Sequence, residues 1–433
     1  MRLAGAARFR IVLTMPMTRL HLPLARCLLV LSAAACGLAQ DFYTCIGNTG
    51  THSALIAWGR VGGPGNTIGR TASPAGAAEV RIDGQSIRAQ RSWLLVTGLE
   101  PDREYPYEIW LDGKQAGSGW VRTLPEKTNR LAFVVIGDYG NASRAQRELA
   151  QVMEKEVRDR SRGPNPVRFV LTTGDNVYAD LFLGFIPVGS SGSEDRHWGT
   201  KFFQPYREIL RRVPVYPTLG NHDGNGSESR GDLATYLDNF FFPGGEPVRY
   251  YTFGVGGLAE FFALDSTENS ESGSSKPVYL ENGDQSRWLR EQLSKSRAPW
   301  KIPYFHHPPF SAGPRHEASL GELNHWVKWF AEAGVKVAFS GHEHNFQFSR
   351  NDAATGGVRY VVTGAGGSLR KGDPRDAMVK AGIEGWAAVP HFLLVEIEDR
   401  TMTVTPKSNR PVEVVDHTGK GIPMPLTIKL AEK

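Results

Sequence analysis

The sequence predicts an α/β fold preceded by a small all-β segment. Three observations carry this. From Leu131 onward, apolar strand-like runs alternate with helical patterns. Between residues 42 and 125 there are only short strand-like runs separated by turn signals. Five of the later strands end in a polar cluster, which is where open α/β sheets build their ligand sites.

The chain has 433 residues, enough for two domains, and its hydrophobic fraction of 40% allows sizeable cores. Residues 1–39 read as a secretory signal peptide. Arg19 and Arg26 precede an apolar run, small residues follow, and cleavage is expected after Ala39. The run is short for a membrane span. Met17 is an alternative start, and lipid attachment at Cys36 is an alternative use of the segment. The formal charge is +5, but all five arginines of residues 1–39 leave with the signal. The mature chain then carries no net formal charge, so its basic balance gives no reason to expect nucleic-acid binding. Of three cysteines, Cys27 and Cys36 lie in the signal. Cys45 alone remains, and no intrachain disulfide can form. An exported protein of this kind is expected to rest on its core, on metal, or on both. The reading is of a secreted or periplasmic protein with no membrane span in the mature chain. Its oligomeric state is not legible.

Residues 40–127 are expected to form a β-sandwich. The runs "SALIAW", "AEVRID", "RSWLLVTGL", "EYPYEIWLDG" and "GSGWVRTL" read as strands. The stretch "LEPDREYPYEIWLDGKQAG" resembles the end of a fibronectin type III domain. In that resemblance Leu99, Pro101, Tyr105 and Tyr107 hold the corner before a strand, and the domain is scaffold.

Residues 128–433 are expected to form the α/β part. "RLAFVVIGDYG" is a buried strand entering a Gly-Asp turn, and "ASRAQRELAQVMEKEVRDR" is a helix with apolar residues every three to four positions. "VRFVLTTGD" is the next strand. "KFFQPYREILRR" reads as helical, and "VPVYPTLGNHD" as a strand entering a Gly-Asn turn. "LAEFFALDS" is a strand, and Asp284 is the expected N-cap of the helix "DQSRWLREQLSKS". The helix "GELNHWVKWFAEAG" separates the strands "WKIPYFHHPPF" and "VKVAFSGHEHNF". Three late strands follow at "VRYVVTGAGG", "HFLLVEIED" and "TMTVTPKS". Residues 269–277 read as an exposed loop.

The five clusters are "GDYG" at Gly137, "GDNVY" at Gly174, "GNHD" at Gly220, "HHPP" at His306 and "GHEH" at Gly341. Singly, each is more often a turn or surface decoration. Together, at successive strand ends, they point into one crevice. Eight of the twelve histidines fall between His197 and His344. Carboxylate, imidazole and amide oxygen suit Zn, Fe, Mn or Ni, and thiolate is missing. Asp138, Asp175, Asn221, His306, His342 and His344 are six candidate donors, with Tyr178 a seventh. One tetrahedral zinc takes four. A surplus of this size suits two ions about 3.5–4 Å apart, bridged by a carboxylate, which clamp an in-line phosphoryl displacement.

The order GDxG, GDxxY, GNH[DE], HxP, GHxH resembles that of the metallophosphoesterases, and Tyr178 places the resemblance in the purple acid phosphatase branch. It covers roughly residues 130–405, and the preceding sandwich is similar to that of the larger family members. The resemblance implies a catalytic fold of two face-to-face β-sheets with helices outside. It implies two metal ions, Fe(III) plus a divalent ion (Zn, Mn or Fe). Asp138, Tyr178 and His344 would bind the first ion, Asp175 would bridge, and Asn221, His306 and His342 would bind the second. His222 would contact the phosphate or donate a proton, and His316 would stand behind the ligands and assist the leaving group. The activity implied is hydrolysis of phosphate monoesters, of the acid phosphatase type, by attack of a metal-bound hydroxide. The substrate would be a small phosphorylated molecule.

Two details depart from the pattern. Pro303 stands where the family often has Val, with an expected effect on strand packing only. His307 directly follows His306, and the His-x-Pro spacing selects His306. Glu343, between the last two histidines, is expected to be solvated or to support the ligands from behind. Two rival functions remain at this stage. One is a phosphodiesterase or nucleotide pyrophosphatase on the same metal core, with residues 181–198 and 225–247 deciding. The other is a surface-binding protein with a vestigial site, against which the complete donor set speaks. Redox chemistry at an iron centre has no further feature behind it.

Overall fold

The computed structural model describes residues 42–61, 68–179, 182–183, 186–187, 197–224, 233–268, 277–370 and 372–431. The expected signal peptide, nearly all of the loop 269–277, and parts of 181–198 and 225–247 lie outside the described residues.

The first seven strands are β1 (Phe42–Thr49), β2 (Ser53–Arg60), β3 (Ala78–Ile82), β4 (Gln85–Ala89), β5 (Trp93–Thr97), β6 (Glu104–Leu111) and β7 (Lys114–Arg122). They form a three-stranded sheet β1-β2-β5 and a four-stranded sheet β4-β3-β6-β7, the expected sandwich. Alternation explains the faces. Phe42, Ile46, Ala54, Ile56 and Trp58 point into the sandwich core with Val80, Tyr105, Ile109 and Val121. Tyr43, Cys45, Leu55 and Ala57 point the other way, into the main core. The first sheet is therefore a middle layer, buried on both faces. The corner resides mainly in Tyr105, whose hydroxyl accepts from the Glu100 amide at 2.7 Å. Tyr107 is buried in the same sandwich core, and its hydroxyl donates to the Arg211 carbonyl at 3.2 Å.

The remaining elements follow in chain order: β8 (Arg130–Ile136), α1 (Arg144–Arg160), β9 (Val167–Thr172), β10 (Phe182–Leu183), β11 (Ile186–Pro187), a π-turn (Gly199–Phe203), α2 (Arg207–Leu210), β12 (Val215–Pro217) and α3 (Asn221–Gly224). Next come α4 (Ala234–Asn239), β13 (Tyr251–Val255), β14 (Ala259–Ala263), α5 (Asp284–Lys295), β15 (Trp300–Tyr304), α6 (Leu320–Glu332), β16 (Val337–Ser340), β17 (Phe346–Ser349) and β18 (Arg359–Thr363). The chain closes with α7 (Arg375–Ala381), β19 (Ile383–Ala387), β20 (Phe392–Glu398), β21 (Thr401–Lys407) and β22 (Leu426–Lys429). They build a six-stranded sheet, β12-β9-β8-β20-β21-β22, and a seven-stranded sheet, β13-β14-β15-β16-β18-β17-β19. The two share a core: Phe133 of β8 meets Phe261 of β14 edge-on, ring centroids 5.1 Å apart. Strands β12, β9 and β8 run parallel, as do β14, β15, β16 and β18. Such strands are buried on both faces, which is why "LAFVVI" is continuously apolar.

Three local expectations change. "KFFQPYREILRR" is not one helix. It is the π-turn and the four-residue α2, separated at Pro205, which lacks an amide hydrogen and disfavours helix in the residue before it. Asp284 is the first residue of α5, and Gly283 is its N-cap, with no side-chain capping bond. Pro303 lies inside β15, and the pairing of β15 with β16 is confined to Tyr304 opposite Phe339. A proline cannot donate to the ladder. Among the described residues, no helix is long and apolar enough to cross a membrane.

Candidate metal centre

The five polar clusters follow the carboxyl ends of β8, β9, β12, β15 and β16. The first three strands belong to one sheet and the last two to the other. Because the sheets face each other, the clusters converge. Asp138, Asp175 and His342 sit at φ 56°, 49° and 69°. This left-handed region costs a non-glycine residue about 1–3 kcal/mol, and here it turns each side chain back over its strand end. Glycine is needed at Gly220, where an added Cβ would stand 2.1 Å from the Asp175 nitrogen.

A buried frame ties the turns together. The Asp223 carboxylate accepts from the amides of Asn176 (2.9 Å), Val177 (3.2 Å) and Gly220 (2.9 Å), and from the Asn176 side chain at 2.8 Å. The Asn176 oxygen in turn accepts from Thr172 and Tyr139. The Asp175 and Asn221 turns are thereby fixed to one another. Lys201, itself buried, donates to the Tyr178 carbonyl.

Two groups of donors result. In the first, Tyr178 Oη lies 3.3 Å from Asp138 Oδ1 and 3.2 Å from His344 Nε2, and His344 Nε2 lies 3.3 Å from Asp138 Oδ1. The other nitrogen of His344 is 2.9 Å from Ser368 Oγ, which fixes the ring. In the second, His306 Nε2 faces Asn221 Oδ1 at 3.0 Å, His342 Nδ1 at 3.1 Å and Asp175 Oδ1 at 3.5 Å. His306 Nδ1 is 2.8 Å from the Thr173 carbonyl. A carbonyl only accepts, so the proton is on Nδ1 and Nε2 presents a bare lone pair. That lone pair faces two oxygens that also only accept. Of the atoms around the lone pair only His342 Nδ1 can donate to it; the two oxygens only accept, and a cation satisfies all of them at once. Asp138, Asp175 and His306 offer ligand atoms all within 4.8 Å of one another, and so do His306, His307 and His342.

The electrostatics agree with the donor chemistry. Burial pushes His306 down, and takes His344 to about 3 with help from the Arg370 cation. Burial likewise lowers His342, and the neighbouring His306 and His307 rings add to it. All three are neutral, the form that binds metal. Burial raises the Asp175 carboxyl, and the His222 amide, which donates to it, works in the opposite direction. Asp138 is driven well above the usual carboxylate range, by burial first and then by the charge of Asp175. The Tyr178 phenol is raised by burial and by both carboxylates. The pocket thus crowds two acids and a phenol, whose anionic forms need cationic charge beside them. The donors fit a pair of metal ions.

All seven residues expected as metal donors line this centre. His222 is exposed; its amide donates to Asp175 Oδ1 at 2.8 Å, and its ring packs on Tyr178 with centroids 4.7 Å apart. The His316 ring lies 4.0 Å from the His342 ring. His316 Nε2 is 3.2 Å from Arg370 Nη2; a guanidinium only donates, so Nε2 is the acceptor and Nδ1 carries the proton. His307, set aside on spacing, has its ring 4.5 Å from that of His342 and its Nδ1 3.0 Å from Ser266 Oγ. The expectation that Glu343 could be solvated is corrected: it is fully buried and accepts from the His316 amide at 3.0 Å. Its place between two ligands turns it under the site, against Gly313. Sequence reasoning missed Ser368 and Arg370. They follow β18, the parallel neighbour of β16, and the glycines of "GAGGSLR" were the available signal.

Residues 131–346 match the family model for calcineurin-like phosphoesterases. Tartrate-resistant acid phosphatase type 5 of Homo sapiens is 27% identical over 308 residues, covering 64% of this chain and 87% of that protein. An uncharacterized protein of Mycobacterium tuberculosis, Rv2577, is 26% identical over 335 residues, covering 70% of this chain. The chain spans about 60% of the length of that mycobacterial relative. Among solved structures, PhoD superposes with a TM-score of 0.64 at 14% identity, over 89% of this chain and 92% of that one. Purple acid phosphatase PPD1 from seeds of yellow lupin, Lupinus luteus, superposes with a TM-score of 0.62 at 15% identity, over 88% and 72%. At these identities the structural likeness establishes the fold.

Proposed function

The chain carries a calcineurin-like phosphoesterase domain, and on that premise we propose that it is an exported phosphatase that hydrolyses phosphate monoesters with two metal ions. The observation that carries the proposal is the convergence of His306 Nε2, His342 Nδ1, Asn221 Oδ1 and Asp175 Oδ1, beside a second group of donors around Tyr178. Residues 40–127 act as scaffold and residues 128–433 carry the chemistry.

The two groups differ in charge. Asp138 and Tyr178 are hard, anionic oxygen donors, and with His344 they suit Fe(III). Asn221, His306 and His342 are neutral and suit a divalent ion such as Zn, Mn or Fe(II). Asp175 offers its carboxylate beside both groups and would bridge the two ions. When bound, such a pair of ions neutralises the phosphate and acidifies the attacking water.

The protein's own residues do the rest. The His222 amide orients Asp175, and the exposed His222 imidazole is free to contact the phosphate. In the reaction the water oxygen forms a bond to phosphorus in line with the ester oxygen, and the P–O ester bond breaks. The departing oxygen takes a proton and leaves as the alcohol. His222 or His316 supplies that proton from its protonated ring. Export rests on the signal-like residues 1–39, and N-terminal sequencing of the secreted protein tests it.

The deciding experiment is to purify the protein, measure its metals, and screen mono- and diesters across pH. Two equivalents of metal and faster turnover of monoesters are expected. A metal-free protein that hydrolyses no ester sinks the proposal, and faster diester turnover replaces it with a phosphodiesterase.

A further inference from the structure

Beside the second group of donors lies a cleft of about 250 Å³. Asn221, His307, Glu268, Tyr279, Glu322 and Leu323 are among the residues that line it. Its size is below the roughly 300–1,000 Å³ of sites for drug-sized ligands, so it suits a small leaving group. Neither glutamate has an ion-pair partner among the described residues, and no lysine or arginine lines the cleft. Tyr279 is only 7% exposed. Its carbonyl accepts from His325 Nε2 at 2.8 Å and from Ser286 Oγ at 3.2 Å, which fixes its backbone. Its hydroxyl has no hydrogen-bond partner among the described residues, and the side chain opens on the cleft.

Two unpaired carboxylates beside an aromatic ring attract a cationic group, and an ammonium can use both the charges and the ring face. The same carboxylates repel a second phosphate. Because the cleft shares Asn221 with the donor set, its occupant is the alcohol side of a bound ester. We propose that this cleft selects phosphate monoesters of amino alcohols, holding the ammonium group between Glu268, Glu322 and Tyr279. The inference rests on the phosphatase reading and names its substrate class.

The test compares choline phosphate with its neutral isostere, 3,3-dimethylbutyl phosphate, in the metal-loaded enzyme and in the Glu268→Gln/Glu322→Gln variant. Both glutamates are exposed, so the variant should fold, which thermal melting checks. The kcat/KM ratio of choline phosphate to the neutral ester should fall about 10-fold in the variant. Tyr279→Leu should lower the same ratio by a smaller factor. A ratio that is equal in wild type and variant overturns the inference. An aryl phosphate serves as the reference for the phosphatase reading itself. If it is hydrolysed while the ratio does not move, the function stands and the amino-alcohol preference falls. If no ester is hydrolysed, calorimetric titration with the same two esters still decides. Tighter binding of choline phosphate that is lost in the variant supports the cleft, and equal binding of both esters refutes it.

Discussion

The two sides of the metal centre are built from the same kind of strand end, yet they are finished differently. On the phenol side, Asp138 and His344 are buried, His344 is braced by Ser368, and Arg370 stands close enough to push the His344 ring down. On the amide side, His306 is buried, but Asn221 and His342 are partly exposed, and Asn221 opens on the cleft. The phenol side is the more deeply buried, with Tyr178 alone of its three donors partly exposed, and it carries the hard oxygen donors. The other is neutral and faces the solvent from which an ester must arrive. A site that needs one permanent ion and one exchangeable contact with substrate is served by that asymmetry.

The comparison can be broken most severely at the residue both sides share. Asp175→Ala should remove both metals and nearly all activity, whereas Asp138→Ala should spare part of the amide-side metal. Metal analysis decides, and a full equivalent of each metal in Asp175→Ala would end the bridging role. His222→Ala should lower kcat by about 10²–10⁴-fold with metal content near wild type. Lost metal there, with metal intact in Asn221→Ala, would exchange the roles of the two residues. The defect should also be smaller for an aryl ester, whose leaving group needs little protonation. An equal defect for alkyl and aryl esters would assign His222 to phosphate binding and move the proton to His316. The smallest effect should come from Ser368→Ala, which frees the His344 ring. About 10–100-fold weaker metal binding is expected, on the phenol side only, read by competition with a chelator.

Much of this asymmetry was legible in the sequence, because each donor sits in a strand-end turn with a local signature. Glycine before Asp138, Asp175, Asn221 and His342 marks a backbone that must turn sharply, and the apolar run before each marks the strand. Tyr178 was legible through its spacing from Asp175. What supports the donors was not. Ser368 and Arg370 are single polar residues whose role depends on β18 lying next to β16. Glu343 could be read as solvated or as a support behind the ligands, and only its packing against Gly313 decides for the second. Edge strands such as β13 and β19 escaped for a related reason. Their runs, "YTFGV" and "IEGWA", contain glycine and gain their strand conformation from partners distant in sequence. "KFFQPYREILRR" failed as a helix because its periodicity continues across a proline that its backbone does not tolerate.

The central claim is a two-ion centre with a phenolate on one side only. Its most direct test is the metal content and visible spectrum of the wild type beside Tyr178→Phe. The account predicts two equivalents of metal in the wild type, iron among them, with a visible band that Tyr178→Phe abolishes while thermal melting shows the fold intact. Two equivalents of metal with no iron and no visible band in the wild type would contradict the phenolate–iron side and leave a zinc or manganese phosphoesterase.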